Sequence, residues 1–296
     1  MFYSKLIVTA LAATAAIAHP GPHDILPRGE IQRRSNMAKR CAEHVGNFNQ
    51  QRMAKRAMHT RKRSGHNTTF EITTEAPYYE TIQNDTCVLT PEVTRGPYVW
   101  PRSQTLRQDM TEDQVGIPLW LDVGVLDMAT CEPLPNALLD FWHCNATGSY
   151  SSFTHLSPNT PFEDLLSELN ITRLRPGCHR PAHRRYHLAA RHVAHQRERS
   201  FYVDRAIHIH VQVHTDWSVR ENGTIIAGNT VSTGQIYFDE EVEEKLMTVE
   251  PYASHTQINR TTNADDSVFF QDTEGGYSPV VSVVPVDGED LANDRH

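Results

Sequence analysis

Four side chains within nine residues have types suited to chemistry at one metal ion, Tyr202, His208 and His210 as ligands and Arg205 as a cation beside them. From Ala206 to His214 the chain alternates with period two, and successive residues of a strand point to opposite faces. Ile207, Ile209, Val211 and Val213 fall on one face, and His208, His210, Gln212 and His214 on the other. Strand rise puts the backbones of His208 and His210 about 7 Å apart on one side, where two imidazoles can share a metal ion. A polar strand face turned to solvent is the plainer reading of this pattern. Tyr202 and Arg205 count against it. A phenolate is a hard anionic ligand, and an arginine fork holds a nearby anion. Zinc sites draw on Cys, His and carboxylates, so Tyr, Arg, His and His in this order suits ferric iron better.

The elements that must position these residues are short strands. The run 117–125 alternates, with Leu119, Leu121, Val123 and Val125 on one face, and 137–143 makes a second run after a turn-like stretch at 130–136. Phe141 and Trp142 read as core, and the run ends at Gly148-Ser149-Tyr150, which delivers Tyr150 to a loop. Thr160-Pro161 carries a helix start, with Thr160 as cap and Pro161 in the first turn. Asn222-Gly223 marks a hairpin whose return strand runs from Thr224 to Thr233, towards Gly234-Gln235. Residues 239–246 read as a helix with an acidic start, and 277–286 as a last strand. Many short strands with few, short, peripheral helices predict an all-β fold, an antiparallel β-sandwich.

The spacing Tyr-x-x-Arg-x-x-His-x-His resembles the iron-binding segment of intradiol ring-cleavage dioxygenases. The segments Cys87 to Thr94, Gly96-Pro97-Tyr98, Trp142 to Tyr150 and Gly234-Gln235 resemble the secreted fungal branch of that family, over about Glu71 to Pro285. The resemblance implies the same β-sandwich and a non-haem Fe(III) ion held by Tyr150, Tyr202, His208 and His210. It implies that Tyr202 is the ligand that leaves on substrate binding and takes a proton. It makes Arg205 the residue that steadies negative charge on the substrate, and Gln235 a neighbour of the ligands. The implied substrates are O2 and a small aromatic diol of the catechol type, cleaved between its hydroxylated carbons to a muconic-type diacid. Residue chemistry agrees: a phenol titrates near 10, so a phenolate at neutral pH needs a strong Lewis acid. The alternative is a non-catalytic secreted β-sandwich that keeps the ligand residues. A zinc or copper hydrolase built on His-x-His is a third class, without a carboxylate or cysteine at suitable spacing.

The 296 residues carry a net charge of −8, and nothing in them points to a nucleic-acid partner. Lys5, the apolar run Leu6 to Ile17 and Ala16-Ile17-Ala18 read as a signal peptide at 1–18, which predicts a secreted, extracellular protein. No run is long enough to predict a membrane span. Residues 19–70 read as a basic, disordered propeptide or linker containing Lys39-Arg40 and Lys55-Arg56, 71–286 as the β-sandwich, and 287–296 as a disordered tail. Secretion predicts oxidised cysteines, with at least one disulfide among Cys87, Cys131 and Cys144; Cys41 and Cys178 are outliers. Sequons at Asn67, Asn84, Asn145, Asn170, Asn222 and Asn259 predict a glycoprotein. Nothing in the sequence indicates an oligomeric state.

One stretch departs from this pattern. Within 172–200 stand eight arginines and five histidines, with neither strand alternation nor a helical apolar stripe. It reads as a basic insertion binding a polyanion, as a histidine loop binding metal, or as a frame error in the coding sequence. Any of these is expected to leave sheet edges unpaired and Tyr202 poorly placed.

Overall fold

The computed structural model describes residues 89–169 and 201–283 with short gaps, the backbone of strands at 185–189 and 193–197, and scattered residues between 28 and 41. The expected leader at 1–18, Cys87, Cys178, the sequons at Asn67, Asn84 and Asn170, and the tail at 287–296 lie outside the described residues.

In chain order the elements are β1 (Gln104–Leu106), β2 (Pro118–Asp122), β3 (Leu126–Asp127), β4 (Glu132–Pro133), β5 (Leu138–Trp142), α1 (Phe162–Glu168), β6 (Arg185–Ala189), β7 (Val193–Arg197), β8 (His208–Thr215), β9 (Ser218–Val219), β10 (Ile225–Ile226), β11 (Asn229–Tyr237), α2 (Glu240–Leu246) and α3 (Ser267–Thr273). The central sheet has the order β1-β6-β5-β8-β11. Its pairs are antiparallel except β1 with β6, which is parallel. The β2–β7 pair forms a second layer. Leu119 and Leu121 of β2 join Leu139, Phe141, Ile209, Val211 and Ile236 of the central sheet in one buried cluster, the core of an all-β sandwich.

Strand register explains why β8 lies at its centre. Across its apolar face Ile209 meets Ile236 of β11, and Val211 meets Phe141 of β5. Each such buried side chain contributes about 1.5–3 kcal/mol, enough to fix the register and hence which residues share the opposite face. On that face Trp142, His210 and Gln235 form one row across three strands, and His208 pairs with Tyr237. The polar face is no solvated surface: His208, His210 and His214 are all buried.

The hairpin at Asn222-Gly223 forms between β9 and β10. Asn222 Oδ1 accepts from the Thr224 amide (3.1 Å) and hydroxyl (2.7 Å), and Gly223 takes φ +78°. The helix at 239–246 also forms, with the Asp239 side chain accepting from the Glu241 amide.

Other expectations need correction. Cys131 pairs with Cys41, the presumed outlier, and Cys144 is a buried thiol, so no disulfide joins Cys87, Cys131 and Cys144 to one another. Sequence proximity misled here, because a bridge needs only that the backbones approach: the two Cα atoms are 5.1 Å apart across 90 residues. The stretch at 172–200 supplies β6 and β7, which pair with β1, β5 and β2. Ladder bonds are made by backbone groups, so polar side chains do not exclude a strand there. Thr160 does not cap α1; Pro161 occupies the cap position without a side-chain bond. Within 277–286 the described contact is a bridge of Val280 to Tyr237, flanked by two backbone bonds. The Asn222 and Asn259 sequons are exposed, and Asn145 is half-buried.

Candidate metal centre

The site begins with a turn. The Arg205 amide donates to the Tyr202 carbonyl (3.2 Å), and Asp204 takes a left-handed φ of +63°, a conformation Asp tolerates better than most residues. Three residues after Arg205, β8 presents His208 and His210 on one face. Their Nε2 atoms lie 3.1 Å apart. His208 Nδ1 lies 2.7 Å from the Ala206 carbonyl. A carbonyl only accepts, so Nδ1 carries the proton and Nε2 presents a lone pair towards His210. The His210 ring lies flat on Trp142, with centroids 4.8 Å apart, which fixes its plane.

Tyr150 arrives from the loop after β5. Asn145 Oδ1 accepts from the Thr147 amide (3.0 Å), the Thr147 hydroxyl (2.9 Å) and the Ser149 amide (3.0 Å), folding 145–149 into a tight turn. Gly148 has φ +81° and sits against the Phe201 carbonyl, where a Cβ would come within 2.4 Å. That contact locks the loop carrying Tyr150 to the segment carrying Tyr202. Ring centroids are 5.6 Å apart for Tyr150 and Tyr202, 6.3 Å for Tyr150 and His210, and 5.7 Å for Tyr202 and His208. The structure therefore brings all four expected ligands together, and none is more than 4% exposed.

Arg205 is the hub behind them, fully buried. Its Nη1 donates to the Tyr202 hydroxyl (3.3 Å), its Nη2 to Gln235 Oε1 (2.5 Å) and the Tyr237 hydroxyl (2.8 Å), and its Nε to Asp266 Oδ2 (2.9 Å). Gln235 Oε1 also accepts from the Tyr237 hydroxyl, and its Nε2 donates to the Thr94 carbonyl. So Arg205 and Gln235 act as one network. Sequence reasoning missed three members of this surround. Tyr237 sits two residues beyond Gln235 on the same strand face, a visible signal. Tyr98 belongs to the Gly96-Pro97-Tyr98 segment and stacks on Tyr150 at 4.4 Å. Asp266 stands in a loop with no pattern to mark it.

The chemistry of this donor set favours a hard cation. Burial pushes the Tyr150 hydroxyl well above the ordinary phenol value, helped by Tyr202 and Cys144. Burial pushes Tyr202 up to about 12, with Arg205 opposing. Both phenols are thus neutral even with Arg205 beside Tyr202, unless a Lewis acid binds them. The buried Tyr150 hydroxyl has no hydrogen-bond partner among the described residues, an arrangement that ordinarily costs about 1–3 kcal/mol. Two imidazole nitrogens 3.1 Å apart match the spacing of neighbouring ligands on one ion, each roughly 2.1 Å from it. Among the described residues no three His, Cys, Asp or Glu side chains cluster, so a four-ligand set here draws on the tyrosines. Residues and metal fit.

A model for the family described as Dioxygenase matches residues 95–216, which include Tyr150, Tyr202, Arg205, His208 and His210. Among solved structures, the chain is similar to an intradiol ring-cleavage dioxygenase from Tetranychus urticae. The two are 25% identical with a TM-score of 0.53, over 67% of this chain and 87% of that one. A crystal structure of another dioxygenase is 24% identical with a TM-score of 0.51 over the same shares, a likeness of fold. No curated protein matches the chain.

Proposed function

We propose that the chain is a secreted non-haem Fe(III) dioxygenase that opens the ring of a catechol-type diol between its two hydroxylated carbons, using O2 and releasing a muconic-type diacid. The observation that carries this reading is the convergence of Tyr150, Tyr202, His208 and His210 beside the Arg205 fork. Ferric iron bound by these four residues would supply Lewis acidity for the diol oxygens and couple the diol's electrons to dioxygen.

The chain's own residues account for the remaining tasks. Tyr202, held by the Arg205 Nη1 hydrogen bond, is placed to take a proton from the diol at its phenolic oxygen. Arg205 offers a fixed positive fork to negative charge developing on the ring oxygens, and such pre-set donors are commonly worth about 3–4 kcal/mol each. Gln235 keeps that fork in place through its Oε1. Tyr98, Trp142 and Phe162 wall the site with aromatic surface and exclude water.

The test is metal content and visible absorption of protein recovered from the culture medium, before and after adding a catechol. Iron with a tyrosinate-to-ferric band that shifts with catechol, together with O2 uptake, is the expected result. Loss of iron in His208→Ala and Tyr150→Phe completes it. Iron-free, colourless wild-type protein refutes the reading and leaves the non-catalytic β-sandwich. Retention inside cells refutes secretion alone.

A further inference from the structure

We propose that Asp266 is a positioning residue that aims Arg205, so that α3 and the loop before it form a working part of the catalytic site. This inference rests on the functional reading above. Asp266 divides its two carboxylate oxygens between two jobs. Oδ2 accepts from Arg205 Nε (2.9 Å) and from the Ala206 amide (3.0 Å). It therefore holds the guanidinium and the backbone leading into β8 on a single atom. Oδ1 accepts from the Val268 amide (2.8 Å), starting α3. Asp266 and Arg205 are both fully buried.

An arginine in that position has several rotamers, and the Gln235 and Tyr237 oxygens are neutral acceptors. Asp266 provides the charged contact, and charge-assisted bonds are roughly twice as strong as neutral ones. Because Oδ2 also accepts from the Ala206 amide and Oδ1 from the Val268 amide, the guanidinium is anchored to the start of α3 and to the backbone beside Arg205 itself. Asp266 touches none of the four ligands in any of its described hydrogen bonds. Its loss should therefore spare iron binding and act on turnover.

The experiment uses the full chain and Asp266→Asn, which keeps a capping side chain for α3 while removing the charge. The expected result is normal iron content, a kcat lower by tenfold or more, a KM for catechol changed by less than threefold, and an altered catechol-induced absorption shift. A kcat within twofold of wild type with an unchanged spectrum overturns the proposal. So does a loss of activity that merely tracks lost iron, since that is the mark of a structural role. If Asp266→Asn does not fold, Arg205→Met is compared with Arg205→Met/Asp266→Asn, in which both charges leave together. Equal kcat with a higher Tm in the double variant supports action through Arg205, and a further tenfold fall at full iron content overturns it. Wild-type protein that takes no iron refutes the functional reading and this inference with it. Coloured, iron-loaded wild type with an indistinguishable Asp266→Asn refutes the positioning role alone.

Discussion

Gly148→Ala tests the packing logic of the site without touching a ligand. Two costs add. At φ +81° an alanine meets the left-handed penalty of about 1–2 kcal/mol. Its Cβ would also lie 2.4 Å from the Phe201 carbonyl oxygen, 2.9 Å from Pro158 Cβ and 3.1 Å from His255 Cε1. Restoring normal contact with that oxygen needs a shift of roughly 1 Å, and such overpacking costs about 1–3 kcal/mol. The carbonyl belongs to the residue before Tyr202, and the alanine lies two residues before Tyr150, so the shift pries apart two expected ligands. The total of about 2–5 kcal/mol corresponds to a Tm lower by roughly 4–20 °C. Gly223→Ala is the control. Gly223 has nearly the same φ, +78°, but nothing stands within 4 Å of its Cβ. It should lose about 1–2 kcal/mol from strain alone and keep full iron. Thermal unfolding and iron content of the two variants decide the matter. If Gly148→Ala matches Gly223→Ala in both, the contact does not hold the ligand loops together and the reasoning is wrong.

Three further outcomes are expected. Burial pushes the Asp272 carboxyl up to about 8, far above its ordinary value near 4, so the folded state keeps a proton that the unfolded state releases. Its contribution is complete below about pH 4 and drains away as pH rises towards 8; urea midpoints at pH 5 and 8 should fall further for wild type than for Asp272→Asn. The Cys41–Cys131 bridge closes a span of 90 residues, so Cys131→Ser should cost up to about 4–5 kcal/mol in urea unfolding, and equal midpoints for the two proteins would remove any stabilising role. Arg260→Ala should destabilise the chain clearly, because Arg260 reaches Glu243 (2.5 Å) and Glu240 (2.6 Å) and its loss strands the buried Glu243 without a cation; Glu243→Gln in the same background should recover part of the loss.

What the sequence determined alone is local. Period two in 206–214 puts His208 and His210 on one face whatever surrounds the strand, because alternation is a property of strand backbone. The turn at Tyr202-x-x-Arg205, closed by one backbone bond, was not read from the sequence although it too is local. Asn222-Gly223 and Asp239 announced their turn and helix start by chemistry within three residues. The tertiary structure decided whether the polar face of β8 met water or a site, since that depends on what packs over it. It brought Tyr150 beside Tyr202 through the close approach of Gly148 to Phe201. It supplied Asp266, 61 residues from Arg205, and joined Cys41 to Cys131. It also drew strands from the Arg- and His-rich stretch at 172–200, where pairing to β5 and β2 is made by backbone groups that side-chain pattern does not report. Contacts at such separations are selected by the collapse of the whole chain around one core, and no short window of residues contains the information that picks them.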